Sequence, residues 1–155
     1  MPALIFNIAK GKFAYYASLP AANDALAWIL FQRPTDPTNT CLSDAVIMDA
    51  PDLPTTIAAG AVEATFTGYA RVLQTAATIT TDNNDKSTTV DVADVVWSPR
   101  SAQAIQRIGC YYVPDTTAPS DAALIPLFTD DFVLTTPTSG TTTYVVNAAG
   151  WGKAQ

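Results

Sequence analysis

The chain contains no histidine. That absence removes the commonest general base at neutral pH, the commonest zinc ligand, and both the Ser-His and the Cys-His nucleophile arrangements. Charge is scarce too. Only 14% of the 155 residues are Asp, Glu, Lys or Arg, and glutamate occurs once, at Glu63, against the quarter or so that soluble domains usually carry. The eight basic residues are scattered in a chain of net charge −6, and their closest approach is Lys10 and Lys12. A surface that reads phosphates needs clustered Lys and Arg, so nucleic acid is not an expected partner.

Cysteine is nearly missing as well. Cys41 and Cys110 lie far apart in unlike settings, and Cys110 falls within an apolar run, so both are read as free thiols. The longest apolar run, Ala25 to Phe31, is too short to cross a bilayer, and no charged stretch followed by a long apolar one marks a signal peptide. No membrane association is expected, and synthesis is placed in a cytoplasm. There is no glycine-rich phosphate loop, no cysteine pair with zinc spacing and no serine in a nucleophile elbow.

What is present points to structure. The chain is 48% hydrophobic, rich in Thr, Ala, Val and Pro, and shows no linker or internal repeat, so residues 1–155 are read as one domain. Lys12 to Leu19 alternates with the period of a half-buried strand. Ala25 to Phe31 reads as a strand buried on both faces, followed by a Pro-rich loop from Pro34 to Thr40. Leu42 to Met48 fits either a short strand or a helical turn. Asp52 to Ala59 is the one expected helix, with Asp52 as N-cap, Pro54 in the first turn and Gly60 just past the end.

From Thr65 onward the pattern is β. Strands are expected at Thr65–Gln74, Ala76–Thr81, Ser87–Trp97, Ile105–Val113, Ala123–Phe128, Phe132–Leu134 and Thr142–Val146, with a hairpin tip at Thr81–Lys86 and turns at Ser98–Ser101, Pro114–Thr117 and Thr138–Thr141. The expected fold is all-β and mainly antiparallel, a β-sandwich or jelly-roll-like barrel with one short helix near residues 52–59.

The remaining chemistry is carboxylate and aromatic. Asp91 and Asp131 could converge as a glycosidase pair, but Asp91 between Val90 and Val92 reads as a surface residue on the wet face of a strand. Asp82, Asn84 and Asp85 offer oxygen ligands without the spacing of a calcium loop. Tyr15, Tyr16, Trp28, Tyr111, Tyr112 and Trp151 could form a sugar platform, although exposed Tyr and Trp suit protein contacts at least as well. No catalytic, cofactor-binding or metal-binding residue is assigned. Ile5, Phe6, Tyr16, Tyr111 and Trp151 are the candidate protein-interface residues, and the apolar Pro2–Ile8 segment could either start the chain's own sheet or add to a neighbour's edge.

A series of short motifs runs along the chain: Asn7-Ile8-Ala9-Lys10-Gly11-Lys12, Phe66-Thr67-Gly68-Tyr69-Ala70-Arg71, Cys110-Tyr111-Tyr112-Val113-Pro114-Asp115-Thr116-Thr117, Ile125-Pro126-Leu127, Asp131-Phe132 and Asn147-Ala148-Ala149-Gly150-Trp151. In this order they resemble a family of small virion structural proteins of tailed bacteriophages. The resemblance implies a place in the particle rather than a reaction. The leading expectation is a non-enzymatic capsid decoration or cement protein, a homo-oligomer with a trimer favoured, bound to the major capsid protein or other virion proteins. A neck or tail accessory protein and a carbohydrate-binding module of a fibre are the alternatives.

Overall fold

The computed structural model describes residues 4–9, 12–19, 23–82, 84, 87–146 and 152–154. In chain order the strands are β1 (Leu4–Ile5), β2 (Ala25–Gln32), β3 (Val72–Gln74), β4 (Thr78–Asp82), β5 (Ser87–Asp91), β6 (Val95–Trp97), β7 (Ala104–Val113), β8 (Ile125–Thr135), β9 (Thr142–Tyr144) and β10 (Gly152–Ala154). The helices are α1 (Phe13–Ser18), α2 (Asp44–Ile47) and α3 (Leu53–Ala58), with single 3-10 turns at Asn7–Ala9 and Asp121–Ala123. The fold is mostly antiparallel β, as expected, with 37% of residues in strands. Among the described residues it carries three short helices in place of the single one expected.

The main sheet has the order β1-β8-β7-β2-β3; a three-stranded sheet, β10-β5-β4, and a two-stranded one, β6-β9, complete the β structure. Strand β2 lies in the middle of the main sheet, and Ala25 to Phe31 are all buried. Its even-numbered residues Leu26, Trp28 and Leu30 join Ile108, Cys110, Tyr112 and Phe128 in one core, closed by Ala17, Val90, Val95 and Trp97. Its odd-numbered residues Ala27, Ile29 and Phe31 join Tyr111 and Val113 in a second, closed by Leu42, Ile47 and Leu53 from the helical side. A strand alternates its side chains between the two faces of a sheet, so a run with no polar position requires cover on both. The small sheets and α1 cover one face in a sandwich-like manner, and α2 and α3 cover the other.

Aromatic rings bridge the main sheet to β6-β9. Trp28 lies 6.2 Å from Phe128 and 5.8 Å from Tyr144, Phe132 packs edge-on to Tyr144 at 5.4 Å, and Trp97 lies 6.5 Å from Phe132. Both indole N–H groups have acceptors: Trp28 Nε1 donates to Gln74 Oε1 at 2.7 Å, and Trp97 Nε1 to the Ala70 carbonyl at 3.0 Å. Cys41 and Cys110 are free and buried.

Five expected strands differ in an instructive way. Lys12–Leu19 forms α1, because the residues that pack inward are Tyr16, Ala17 and Leu19, a helical spacing that the two-residue alternation of Phe13 and Tyr15 concealed. Thr65–Gln74 is paired only from Val72 onward. Gly68, at φ +91°, turns the chain, and the amides of Thr65 and Phe66 donate to the Gln103 side chain while that of Thr67 donates to Ser101 Oγ. Ser87–Trp97 divides at Val92–Asp94 to pass from one small sheet to another. Ala123–Phe128 and Phe132–Leu134 instead fuse into β8, because Thr129, Asp130 and Asp131 find partners within the fold: Thr129 Oγ1 donates to the Ile108 carbonyl, Tyr144 Oη to Asp130, and Arg107 to Asp131. The expected helix stands at α3, where Asp52 accepts from Thr55 N at 2.8 Å and Gly60 follows at φ +102°. The β4–β5 hairpin is also as expected, with residues 83, 85 and 86 of its tip outside the described residues.

Three tyrosines tie the layers through carboxylates: Tyr69 donates to Glu63, Tyr112 to Asp24 and Tyr144 to Asp130. Burial first, and the neighbouring carboxylate second, push each of these phenols above the ordinary tyrosine range, to about 12 for Tyr112. A pKa raised in the fold contributes stability that is complete below the unfolded value near 10 and disappears as pH rises through the folded one. Urea unfolding midpoints are therefore expected to fall between about pH 10 and pH 12, with a shallower fall in Tyr112→Phe.

Gly68 gives a second expectation. An added Cβ would stand 2.6 Å from the Ser98 carbonyl oxygen on a left-handed backbone, whereas Gly140, also left-handed at φ +93°, has open space. Gly68→Ala is expected to cost about 2–4 kcal/mol in denaturant titration, and Gly140→Ala about 1 kcal/mol.

Candidate functional site

The sheet is least regular where a charged residue enters its core. The β2–β7 register shifts between Phe31 and Gln32, and the β7–β8 register shifts between Ile105 and Arg107. An extra residue in a ladder re-aims the side chains beside it. Arg107 lands on the helical face, its side chain only 2% exposed. Its Nε and Nη2 donate to Asp131 Oδ1 at 3.3 and 3.1 Å, and Nη2 also donates to Asp44 Oδ1 at 2.5 Å. Asp131 comes from β8 and Asp44 from the first turn of α2, so one guanidinium fastens the helical layer to the sheet. Its Nη1 is buried and has no acceptor.

Around this group opens a cleft of about 520 Å³ lined by Arg33, Leu42, Ser43, Asp44, Gln106, Arg107, Asp131 and Val133. Arg33 is exposed at the rim. The two carboxylates converge on a guanidinium that stands between them and compensates their charge, whereas a glycosidase pair flanks an open sugar site. Asp91, expected as a possible partner of Asp131, belongs to the three-stranded sheet instead. Among the described residues no group of three or more His, Cys, Asp or Glu could hold a metal ion, and no helix is long and apolar enough to cross a membrane.

A second polar cluster is fully satisfied. Arg71 donates through Nε and Nη2 to the two oxygens of Glu63 at 2.9 and 2.8 Å and through Nη1 to Asp121 at 2.6 Å. Tyr69 donates to Glu63 and accepts from the Leu30 amide. The hydrogen bonds from Glu63 and Asp121 hold the Arg71 guanidinium firmly protonated, and Arg71 holds the Asp121 carboxyl below its ordinary range. With its donors engaged, this network fastens the chain leading into β3 to the 3-10 turn before β8.

The candidate interface residues fare unevenly. Phe6 and Tyr111 are wholly buried, 6.0 Å apart in the helical-side core, and neither can meet a partner. Tyr111 is inward because both sheet faces are covered; its hydroxyl faces Thr56 without a hydrogen bond of ordinary geometry, and burial pushes it up. The same coverage buries its neighbour Tyr112. Ile5 is half-buried in β1, paired with Phe128 of the chain's own β8, so the described part of the Pro2–Ile8 segment starts its own sheet. Tyr16 is half-buried against Tyr112 at 5.5 Å. Trp151 lies outside the described residues. Among the described residues no aromatic platform forms, since Trp28, Tyr111 and Tyr112 are core. Other apolar side chains do reach the surface, among them Ile8, Tyr15, Ile57, Val62, Leu73, Val96, Val133 and Val145, with Val145 at 68% exposure.

Comparison with known proteins finds no matching family model, no similar curated protein and no similar solved structure.

The clamp gives an asymmetric expectation. Asp131→Ala leaves a buried guanidinium short of one partner and is expected to cost about 3 kcal/mol in urea unfolding. Arg107→Met frees two carboxylates that are 27% and 41% exposed and can take up water, so it is expected to cost less, about 1 kcal/mol.

Proposed function

We propose that the protein is a bacteriophage virion structural protein of the capsid decoration or cement kind, without enzymatic activity, that binds the shell through apolar faces of its small sheets. The observation that carries this reading is the outer face of β6-β9. Val95, Trp97 and Tyr144 turn toward the core, which leaves Val96 of β6 and Val145, the residue just past β9, outward at 47% and 68% exposure. Apolar side chains gain by leaving water, at about 25 cal/mol per Å² before the costs of association, and many copies on a symmetric shell multiply a modest gain. The low charge and the order of the sequence motifs point the same way. The cluster of charges in the cleft is compensated internally and offers no acid–base pair with an open substrate position. The major capsid protein is the proposed partner, with the chain acting as a homo-oligomer, a trimer in the favoured form.

Two measurements test this. Val145→Asp and Val96→Asp change exposed positions and are expected to leave the unfolding free energy within about 0.5 kcal/mol, while weakening attachment to purified shells about tenfold or more, equivalent to about 1.4 kcal/mol. Unchanged attachment of both variants would remove this face from the binding surface. Quantitative gels of purified particles are expected to show hundreds of copies; a handful would place the protein in a neck or tail instead.

A further inference from the structure

Arg107 is the one polar side chain among the described residues that is buried, charged and incompletely paired. Two of its three nitrogens serve Asp131 and Asp44, and Nη1 has nothing to donate to. A buried donor without an acceptor is costly. Arg33 stands on the same cleft, exposed, and no carboxylate of the described residues pairs with it. The chain carries net charge −6 and only eight basic residues, so two guanidiniums on one cleft are a local concentration of unused donors.

We propose that this cleft docks an acidic side chain of another protein chain, whose carboxylate bonds to the guanidiniums of Arg33 and Arg107. This goes beyond the virion reading and does not depend on it. The ligand class follows from charge. Asp44 and Asp131 already stand on Arg107, so a phosphate dianion would meet two carboxylates, whereas a carboxylate that takes the place of Asp44 leaves the charge on Arg107 compensated as before, and its planar, two-oxygen form matches the guanidinium fork. Asp44 shows the geometry such a group would take, because it is itself a carboxylate seated on Arg107. It is also the replaceable one of the pair: Asp44 is 41% exposed on a four-residue helix, and Asp131 is 27% exposed within β8. Asp44 turning outward gives the incoming carboxylate access to Arg107. The source follows from shape. Small-molecule sites enclose most of their ligand, but this cleft is open, and the 62%-exposed Val133 beside it offers apolar contact to the residue next to the acid.

The test uses the ¹⁵N-labelled full chain and NMR of the arginine Nε–H groups. The probes are the capped peptide acetyl-threonyl-aspartyl-valine amide, its asparaginyl counterpart, sodium acetate and sodium phosphate, at matched ionic strength. The aspartyl peptide is expected to shift the Arg33 and Arg107 signals saturably, and the asparaginyl peptide to bind about tenfold more weakly, the loss of one charge-assisted pair. Arg33→Gln, an exposed change that preserves the fold, should lose about the same factor. Asp44→Ala, which removes the internal competitor, should bind the aspartyl peptide more tightly than the native chain. No saturable shift at either guanidinium, equal binding of the two peptides, or unchanged binding in Arg33→Gln would overturn the proposal. Acetate binding as tightly as the peptide would overturn the protein source, and tighter phosphate binding would overturn the ligand class.

Discussion

The burial of β2 on both faces is the constraint on which the rest of the structure depends. Seven successive residues from Ala25 to Phe31 have no polar side chain to offer water, so neither face of the main sheet can be left wet. An antiparallel sheet usually needs cover on one face only. Here the second cover recruits the 33–61 segment, whose Leu42 comes from a turn and whose Ile47 and Leu53 come from otherwise weak helices of four and six residues. Helices that short do not persist by themselves. They hold because they close a core, and their place is secured at one end by the Asp52 cap and at the other by Asp44 on Arg107.

Arg107 thus has two aspects. It locks layer to sheet, and it does so incompletely, with one nitrogen unpaired beside an open cleft. The contrast with Arg71 is informative, since that guanidinium meets both oxygens of Glu63 and also Asp121. The Arg71 guanidinium has its donors engaged, whereas the buried Nη1 of Arg107 is left without an acceptor. The two features of the surface, uncharged valines on β6-β9 and a compact charged cleft on the helical face, belong to different faces of the molecule and suit contacts with different neighbours.

Much of the β framework was legible in the residues. The doubly buried β2, the long β7, the β4–β5 hairpin and the Asp52-capped helix all follow from patterns within a dozen positions. What was not legible depends on distant partners. Thr129-Asp130-Asp131 reads as a gap between two strands until Ile108, Tyr144 and Arg107 supply its hydrogen bonds, and Thr65–Arg71 reads as a strand until Gln103 and Ser101 take its amides. Phe6 and Tyr111 looked like surface residues because nothing local announces that a second layer covers them. The clamp itself joins Arg107 to residues 63 and 24 positions away. One signal did point to it: an arginine set between Ile105 and Ile108 in an apolar strand has to be compensated by carboxylate, although no local pattern names Asp44.

The proposed role rests on packing rather than chemistry, and an image of the intact particle with this chain labelled tests that most directly. Label at many symmetry-equivalent positions on the outer shell, with the β6-β9 face turned toward capsid subunits, is the predicted result. Label confined to a single ring or fibre, or absent from the particle, would contradict a decoration role.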